Sequence, residues 1–389
     1  MNYILFDASR DSLKPLTYIR PVCDIRIGIL TIREKWEKYL GDKTSTITEN
    51  YLSAKYPTAH SEEMMLINGS ICPTPSLVEE IKNLKVGQAL VSGNNVIAMY
   101  KTKEQFLSDE DSTQEVSFEE EFIKITNPWD IFALNDKALR EDFKLLTQGR
   151  KSAALSDTNR VLGKENIFVE EGAEVEFAVL NAKEGPIYIG KDAQIMEGSV
   201  VRGPFAMCEH SVLKMASKIY GATTLGPYVK VGGEVSNVVI FGYSNKAHDG
   251  FLGNAVIGEW CNIGAGTNAS NLKNDYSKIR LWNYPDHTFM RTDLQFCGLI
   301  MGDHSKVGIN CMFNTATVVG VGVNIHGSGF PRTFIPSFSE GSPVGGFVDV
   351  QLKKFFEIAN RAMARRGMLL TEIDYEIFEE IYKIASTYK

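Results

Sequence analysis

The feature that most constrains the fold is an apolar residue at every sixth position over a long stretch of the chain. A step of six fits neither the 3.6-residue period of a helix nor the alternation of a single strand. It is the period of hexapeptide repeats, in which short strands form the flat faces of a parallel β-helix and the corners need small residues. The step is kept by Ile189, Ile195, Val201, Met207, Leu213, Ile219, Leu225 and Val231, and it resumes at Ile257, Ile263, Met301, Val307, Phe313, Val319 and Ile325. The sequence therefore predicts a parallel β-helix, with three hexads to a triangular coil, over residues 149–335.

Two segments interrupt the repeat, residues 236–256 and residues 273–298. Insertions into a solenoid usually leave it as loops on one face, and that face commonly binds ligands. We expect both segments to be loops of this kind. The first segment contains His248, which stands alone among glycines, asparagines and other small residues, and the second follows that stretch.

The repeat is flanked by two parts of different character. In residues 1–148 the runs "NYILF", "EMMLINGS" and "QALVSGNNVIAMY" predict strands, "SLVEEIKNL" predicts a helix, and another helix begins after Pro128. This is an α/β pattern. In residues 336–389, a stretch rich in Pro, Gly and Ser precedes two predicted helices, with Gly367 ending the first and Thr371 capping the second. We expect these helices to cap the solenoid or to pack on a neighbouring subunit.

The composition limits the classes of partner that can be expected. The formal charge is −7 and the 41 Lys and Arg residues form no dense block, so a nucleic-acid or anionic-membrane partner is not expected. A small or acidic metabolite fits better. The six cysteines include no CxxC pair, no leader-like start is present, and no apolar run approaches the roughly 20 residues that span a bilayer. These features predict a reduced, cytoplasmic protein.

The stretch "KAHDGFLGNAVIGEWCNIGAGTNASNL", residues 246–272, carries a resemblance. Joined to an N-terminal α/β domain, it resembles the bifunctional N-acetylglucosamine-1-phosphate uridyltransferase and glucosamine-1-phosphate acetyltransferase family, and more closely the variant found in Bacteroidetes. The family pattern places substrate-binding roles on Lys246, Phe251, Asn262 and Asn271 around the catalytic His248. The resemblance implies a left-handed β-helix, a homotrimer, acetyl-CoA as co-substrate, and Mg²⁺ with a nucleoside triphosphate in the N-terminal domain.

The N-terminal domain departs from that family at two points. "LKPLTYIRPVCDIRIGILTIREKW" resembles the segment after the glycine-rich signature of sugar nucleotidyltransferases, but no G-x-G-T-R loop precedes Leu13, and Ser70 stands where a metal-binding aspartate is expected. Arg10, Lys14 and Arg20 are candidate nucleotide-binding residues, and a purely structural turn is the alternative. The metal ligand stays undetermined, with Asp7, Asp11 and Asp24 open.

The chemistry of N-acetyl transfer assigns roles to the remaining residues. His248, with an ordinary pKa near 6.5, suits a general base that takes a proton from an amino sugar. Backbone N–H groups of Gly264, Ala265 and Gly266 are candidates for holding the carbonyl oxygen of acetyl-CoA. Arg280 is the candidate for the sugar phosphate, since a guanidinium makes charge-assisted bonds to phosphate. The structural alternatives are a hydrogen-bonded turn histidine and turn glycines.

These observations predict an amino-sugar-1-phosphate N-acetyltransferase coupled to a divergent sugar-1-phosphate nucleotidyltransferase that makes a nucleotide sugar such as UDP-N-acetylglucosamine. Two alternatives remain open. In the first, uridylyl or thymidylyl transfer is the only activity and the β-helix is a trimerisation scaffold. In the second, the protein is a non-catalytic regulator that binds a sugar nucleotide.

Overall fold

The computed structural model describes residues 2–108 and 113–389. Its N-terminal part contains a mixed sheet in the order β2-β1-β3-β5-β4-β6, with β1 parallel to both β2 and β3. The strands are β1 (Asn2–Phe6), β2 (Thr44–Ile47), β3 (Glu63–Asn68), β4 (Gln88–Ser92), β5 (Asn95–Thr102) and β6 (Gln114–Ser117). The helices are α1 (Ile32–Leu40), α2 (Pro75–Asn83), α3 (Lys103–Leu107), α4 (Pro128–Ala133) and α5 (Asn135–Thr147).

Local signals explain where these helices begin. Thr31 and Glu34 form a capping box at the start of α1, and the Thr74 hydroxyl accepts a bond from the Leu77 N–H at the start of α2. The sequence predicted one helix after Pro128. The structure divides it into α4 and α5, because Leu134 lies outside helical geometry at φ −96° and ψ 0°.

The repeat region is a parallel solenoid of about 10 turns. Its strands and the hairpin within it are β7 (Arg160–Leu162), β8 (Ile167–Val169), β9 (Glu174–Val175), β10 (Val179–Asn181), β11 (Ile187–Ile189), β12 (Gln194–Ile195), β13 (Val200–Arg202), β14 (Phe205–Met207), β15 (Val212–Leu213), β16 (Lys218–Tyr220), β17 (Thr223–Leu225), β18 (Lys230–Val231), β19 (Glu234–Ile240), β20 (Asn245–Lys246), β21 (Phe251–Ile257), β22 (Asn262–Ile263), β23 (Asn268–Ala269), β24 (Arg280–Asn283), β25 (Thr288–Arg291), β26 (Ile300–Met301), β27 (Lys306–Val307), β28 (Met312–Phe313), β29 (Val318–Val319), β30 (Asn324–Ile325), β31 (Phe334–Ile335), β32 (Ser339–Ser342) and β33 (Gly346–Asp349).

The hexad residues form the core of this solenoid. All fifteen are buried and belong to one apolar cluster. Coils stack in register, so Ile195 lies beside Leu213 and Leu213 beside Val231. The predicted architecture, an α/β domain joined to a parallel β-helix with C-terminal helices, is confirmed.

One of the two interruptions is not a loop, which corrects the sequence-based expectation. Within residues 236–256, the strands β19 and β21 run over two faces of the prism, and the coils are shorter: Val231 pairs with Lys246, fifteen residues later. Shortened corners break the six-residue step while the solenoid continues. Residues 273–298 do leave the solenoid, and they form the antiparallel hairpin of β24 and β25.

An aromatic column follows one corner of the solenoid. Its members share a left-handed backbone with φ between 53° and 59°, and neighbouring rings have centroids 4.4–6.2 Å apart. The column consists of His210, Tyr228, Tyr243, Trp260 and His304. Gly322 has no side chain to continue the column, and a Cβ there would lie 2.8 Å from the ring of Phe355. The Phe355 ring packs edge-on against His304 and Phe338.

Phe355 belongs to the C-terminal helices, α6 (Leu352–Ala364) and α7 (Glu372–Ala385). Gly367 follows α6 with φ 69°, and Thr371 caps α7 through a bond from the Asp374 N–H, as the sequence predicted. These helices pack on the last coils and also reach the N-terminal domain, where Lys55 Nζ lies 2.8 Å from Asp374. They therefore tie the two larger parts together.

The described cysteines are all buried and free of disulfides. Among the helices in the described ranges, none combines the length and apolar character that crossing a bilayer requires.

Candidate active site

His248 lies on the turn between β20 and β21, at a corner of the solenoid, with its side chain exposed. Glycines occupy the neighbouring coils at this corner. A Cβ on Gly233 would lie 2.9 Å from Asp249 Cα, and one on Gly250 would lie 2.0 Å from Thr267 O. The lone imidazole therefore projects from a column of turns that have little side chain of their own.

Lys246 holds this turn from inside. Its side chain is 2% exposed, and Nζ donates to Gly232 O at 2.8 Å and to His248 O. Burial lowers the pKa of Lys246 from 10.5 to about 8, and Asp249 opposes that shift. The ammonium group of Lys246, which the resemblance assigns to substrate binding, is thus engaged by backbone carbonyls and fixes the backbone at His248.

The glycine-rich turn of residues 264–266 lies on the next coil, against the His248 turn. The Gly266 N–H donates to Asp249 O at 2.9 Å, and the Gly264 N–H donates to Val307 O at 2.9 Å. Both donors are already used. The Ala265 N–H has no hydrogen-bond partner in the part of the chain that the structure describes. Of the three predicted oxyanion donors, only Ala265 is available.

Phe251 and Asn271 come together beside Gly253. A Cβ on Gly253 would lie 2.6 Å from Phe251 Cζ and 2.7 Å from Asn271 Nδ2, so the glycine makes room for both side chains. Asn271 Nδ2 donates to Asn254 Oδ1 at 2.8 Å. Asn262 is exposed on β22, and its side chain has no hydrogen-bond partner among the described residues.

Arg280 lies apart from this group, on the hairpin that leaves the solenoid just after Asn271. Its Nη2 donates to Phe289 O at 3.2 Å and its side chain is exposed. The nearby side chains of Leu281 and Tyr284 are buried in the core shared with the N-terminal domain. The hairpin therefore packs back on its own chain, and the structure shows no contact between Arg280 and His248.

Of the three candidate nucleotide-binding residues, Arg10 lines a cavity of about 600 Å³ at the carboxyl ends of β1 and β2. Its guanidinium, however, is 6% exposed and is used within the loop. It donates to Asp7 at 2.8 Å, to Arg20 O at 3.1 Å, to Tyr51 Oη at 2.9 Å and to Thr17 O. Arg10 thus fixes the loop that replaces the glycine-rich signature.

Arg20 and Lys14 are also engaged elsewhere. Arg20 makes a two-pronged pair with the fully buried Asp303 of the solenoid, with bonds of 2.6 and 3.1 Å. Lys14 Nζ lies 2.7 Å from Asp11. In this arrangement Arg20 joins the two domains and neither cation points its charge into the cavity unpaired.

The N-terminal residues do not form a ready Mg²⁺ site. The Asp7 carboxylate accepts from the Val22 N–H, from Arg10 and from Thr48. Ser70 is fully buried and donates to Asn68 Oδ1 at 2.7 Å. Over residues 2–108 and 113–389, no group of three or more His, Cys, Asp or Glu side chains could hold a metal ion.

Sequence reasoning missed two residues that matter to these sites. Asn254, the acceptor for Asn271, lies within the quoted stretch, and its position between β-helix coils could have indicated a contact. Asp303, the partner of Arg20, is 283 residues away along the chain, and no local pattern marks it.

Comparison with known proteins gives matches to parts of the chain. The sugar nucleotidyl transferase family model matches residues 3–151. The bifunctional protein GlmU from Synechococcus elongatus and the one from a second Synechococcus strain are each 22% identical over 227 residues, covering 52% of this chain and 46% of the relative. The match thus spans about half the length of these curated relatives.

Solved structures give weaker likenesses. The UDP-N-acetylglucosamine acyltransferase of Francisella novicida is 14% identical with a TM-score of 0.27, covering 62% of this chain and 78% of that chain. LpxA, a UDP-N-acetylglucosamine acyltransferase from Bacteroides fragilis, is 15% identical with a TM-score of 0.26, covering 60% and 83%.

The class defined by fold and family match is a sugar-nucleotidyl-transferase-like domain joined to a hexapeptide-repeat β-helix. The relatives that match part of this chain, at 22% identity, are bifunctional GlmU proteins. None of them tests the expected Bacteroidetes variant.

Proposed function

We propose that this chain is a cytoplasmic, homotrimeric enzyme whose β-helix transfers the acetyl group of acetyl-CoA to the amine of an amino-sugar 1-phosphate. The observation that carries the proposal is the exposed imidazole of His248 on a corner of the solenoid, held by Lys246 and bordered by glycine turns. The matches to bifunctional GlmU proteins support transferase activity in general, and the substrate class rests on the resemblance of residues 246–272.

The step needs one proton carrier. The neutral amine attacks the thioester carbonyl, and His248 accepts the proton that the attacking nitrogen gives up. The tetrahedral intermediate then collapses, the carbon–sulfur bond breaks, and the imidazolium returns the proton to the CoA sulfur. The products are the N-acetyl sugar phosphate and the free thiol.

The developing oxyanion needs a donor that is not already used. The Ala265 N–H meets that requirement and belongs to the turn stacked on the His248 turn. Phe251 and Asn271, side by side on the same face, are proposed to contact the sugar and the acetyl group, and Asn262 is proposed to help there. Arg280 is proposed to reach the sugar phosphate.

A trimer would supply the missing wall of such a site. Exposed apolar side chains on one region of the solenoid, including Phe177, Val179, Val200 and Met215, would be covered by a neighbouring copy. Val179 and Val200 are in register on adjacent strands, so this surface is continuous across coils. Sedimentation velocity is expected to give the mass of three chains.

The test of the acetyl transfer is thiol release from acetyl-CoA with glucosamine 1-phosphate. Loss of a general base typically costs about 10²–10⁴-fold in rate, so His248→Ala is expected to fall by that amount. His326→Ala is the matched control, because His326 is an exposed histidine that follows β30 as the His248 turn follows β20. Equal rates in the two variants would remove His248 from the mechanism.

Nucleotidyl transfer is a second candidate function, supported by the family match over residues 3–151 and by the cavity beside Arg10. It would couple a sugar 1-phosphate to a nucleoside triphosphate, with Mg²⁺ carried by the triphosphate. The expected observation is Mg²⁺-dependent release of pyrophosphate from UTP or dTTP with N-acetylglucosamine 1-phosphate. Absence of release with both nucleotides would reject this activity and leave the acetyl transfer untouched.

A further inference from the structure

A second cavity, of about 310 Å³, lies where the three parts of the molecule meet. Ile19 and Lys55 contribute from the N-terminal domain, Trp260 and His304 from the aromatic column, and Phe378 from α7. It is separate from the His248 turn and from the cavity at Arg10. Neither of the activities proposed above uses it.

The rings in its wall have polar groups without partners. His304 is 4% exposed, yet neither ring nitrogen has a hydrogen-bond partner among the described residues, and Nδ1 is fully buried. The Tyr243 hydroxyl and the Trp260 indole N–H, on residues that also line the cavity, have no hydrogen-bond partner in the described ranges either, but of these atoms only His304 Nδ1 is fully buried. Buried polar groups are normally satisfied, and leaving one unpaired is unfavourable.

The state of His304 defines what could satisfy it. Burial lowers the pKa of His304 well below its usual range, and Lys306 and Arg20 add to that effect. The ring is therefore neutral near pH 7, with one nitrogen that donates and one that accepts. Because Nδ1 is fully buried, a ligand in the cavity reaches Nε2, and it needs one group that donates to this nitrogen or accepts from it.

Charged groups in the wall are already paired. Lys55 Nζ lies 2.8 Å from Asp374, and Glu259 lies 3.2 Å from Arg20. An ionic ligand would have to compete with these pairs. An uncharged ligand would not, and its apolar faces would meet aromatic and aliphatic side chains such as Trp260, Met363 and Ile377.

We propose that this cavity binds a small, uncharged heteroaromatic molecule of nucleobase size, which makes a hydrogen bond with Nε2 of His304 and packs against the Trp260 side of the aromatic column. The ligand would contact all three parts of the chain at once. Its binding is independent of acetyl transfer and of nucleotidyl transfer.

The experiment uses the full chain with uracil and nicotinamide as probes. Binding is followed by ligand-observed NMR and by thermal unfolding, where a probe at about 10 mM raises Tm if it binds the folded state alone. Fluorobenzene is the control probe, because it fits the volume but lacks hydrogen-bonding groups. Tighter binding of uracil or nicotinamide than of fluorobenzene supports the proposal, and equal or absent binding overturns it.

Three variants localise the binding. His304→Phe keeps the ring stack but removes both nitrogens, so it is expected to fold, to keep or raise its Tm without ligand, and to bind the heteroaromatic probe at least about ten-fold more weakly. Met363→Phe reduces the cavity while keeping His304, and should also weaken binding. His210→Phe changes the same column away from the cavity and should bind as wild type. Unchanged binding in both His304→Phe and Met363→Phe would contradict the assignment.

Discussion

A single lysine occupies a position that neighbouring coils fill with apolar side chains. Val231 lies beside Lys246 in the sheet, and Ile263 follows on the next coil. An ammonium in that column is costly to desolvate, and its bonds to Gly232 O and His248 O offset part of the cost. The buried lysine therefore lowers the stability of the core, and its bond to His248 O fixes the backbone conformation at His248.

The lowered pKa of Lys246 makes a pH prediction with a definite sign. The unfolded chain holds this proton up to about 10.5 and the folded chain only up to about 8, so stability from this group rises with pH between those values. The Tm of wild type minus the Tm of Lys246→Met should therefore increase as the pH is raised from about 7.5 to 10. Lys218→Met, at an exposed lysine, is the control and should show no such trend. Parallel profiles for wild type and Lys246→Met would contradict the burial of a charged lysine.

At the scale of the coil, glycines at the corners differ in how much space a side chain would have. A Cβ on Gly264 would lie 2.5 Å from the carbonyl of Gly308 on the next coil, whereas the nearest atoms to a Cβ on Gly308 are 3.5 Å away. The two glycines occupy equivalent places on adjacent coils. The backbones approach so closely at position 264 that only glycine fits there. At position 308 there is room for a side chain.

This difference predicts unequal costs for the same substitution. Gly264→Ala must displace a backbone, so it is expected to lower the free energy of unfolding by about 1–3 kcal/mol. Gly308→Ala should change it by less than about 0.5 kcal/mol. Urea denaturation measures both. Similar values for the two variants would show that the corner relaxes freely.

The elements that the sequence predicted are those with a strong local signal. The six-residue step from Ile189 to Val231 indicated the strands and the buried side chains together, because each coil repeats the same contacts. Shortened coils at residues 236–256 erased that step without ending the solenoid, so they were mistaken for a loop. The roles of Arg10 and Arg20 could not be predicted, because their partners Tyr51 and Asp303 come from distant parts of the chain.

At the scale of the whole molecule, the α/β domain is fixed to the solenoid through a buried ion pair. Asp303 accepts two bonds from Arg20 and one from the Glu259 N–H, all in the interior. Removing one member of such a pair leaves an uncompensated buried charge. The C-terminal helices add the Lys55–Asp374 contact on the same side of the joint.

The ion pair predicts strong coupling between its two members. Arg20→Met or Asp303→Leu alone should cost about 3–5 kcal/mol in the free energy of unfolding, and the double variant should cost clearly less than the sum. Urea denaturation of the four proteins gives the coupling, and limited proteolysis reports release of the domain. Additive losses would mean that the two side chains act independently.

The central claim is that His248 takes the proton from an amine brought to the solenoid corner. The most direct measurement is a crystal structure of the protein with CoA and the N-acetyl sugar phosphate bound. We predict the amide nitrogen within about 2.6–3.2 Å of an imidazole nitrogen of His248, with the acetyl oxygen near the Ala265 N–H. Both ligands bound at another corner, with the imidazole of His248 facing empty solvent, would contradict the claim.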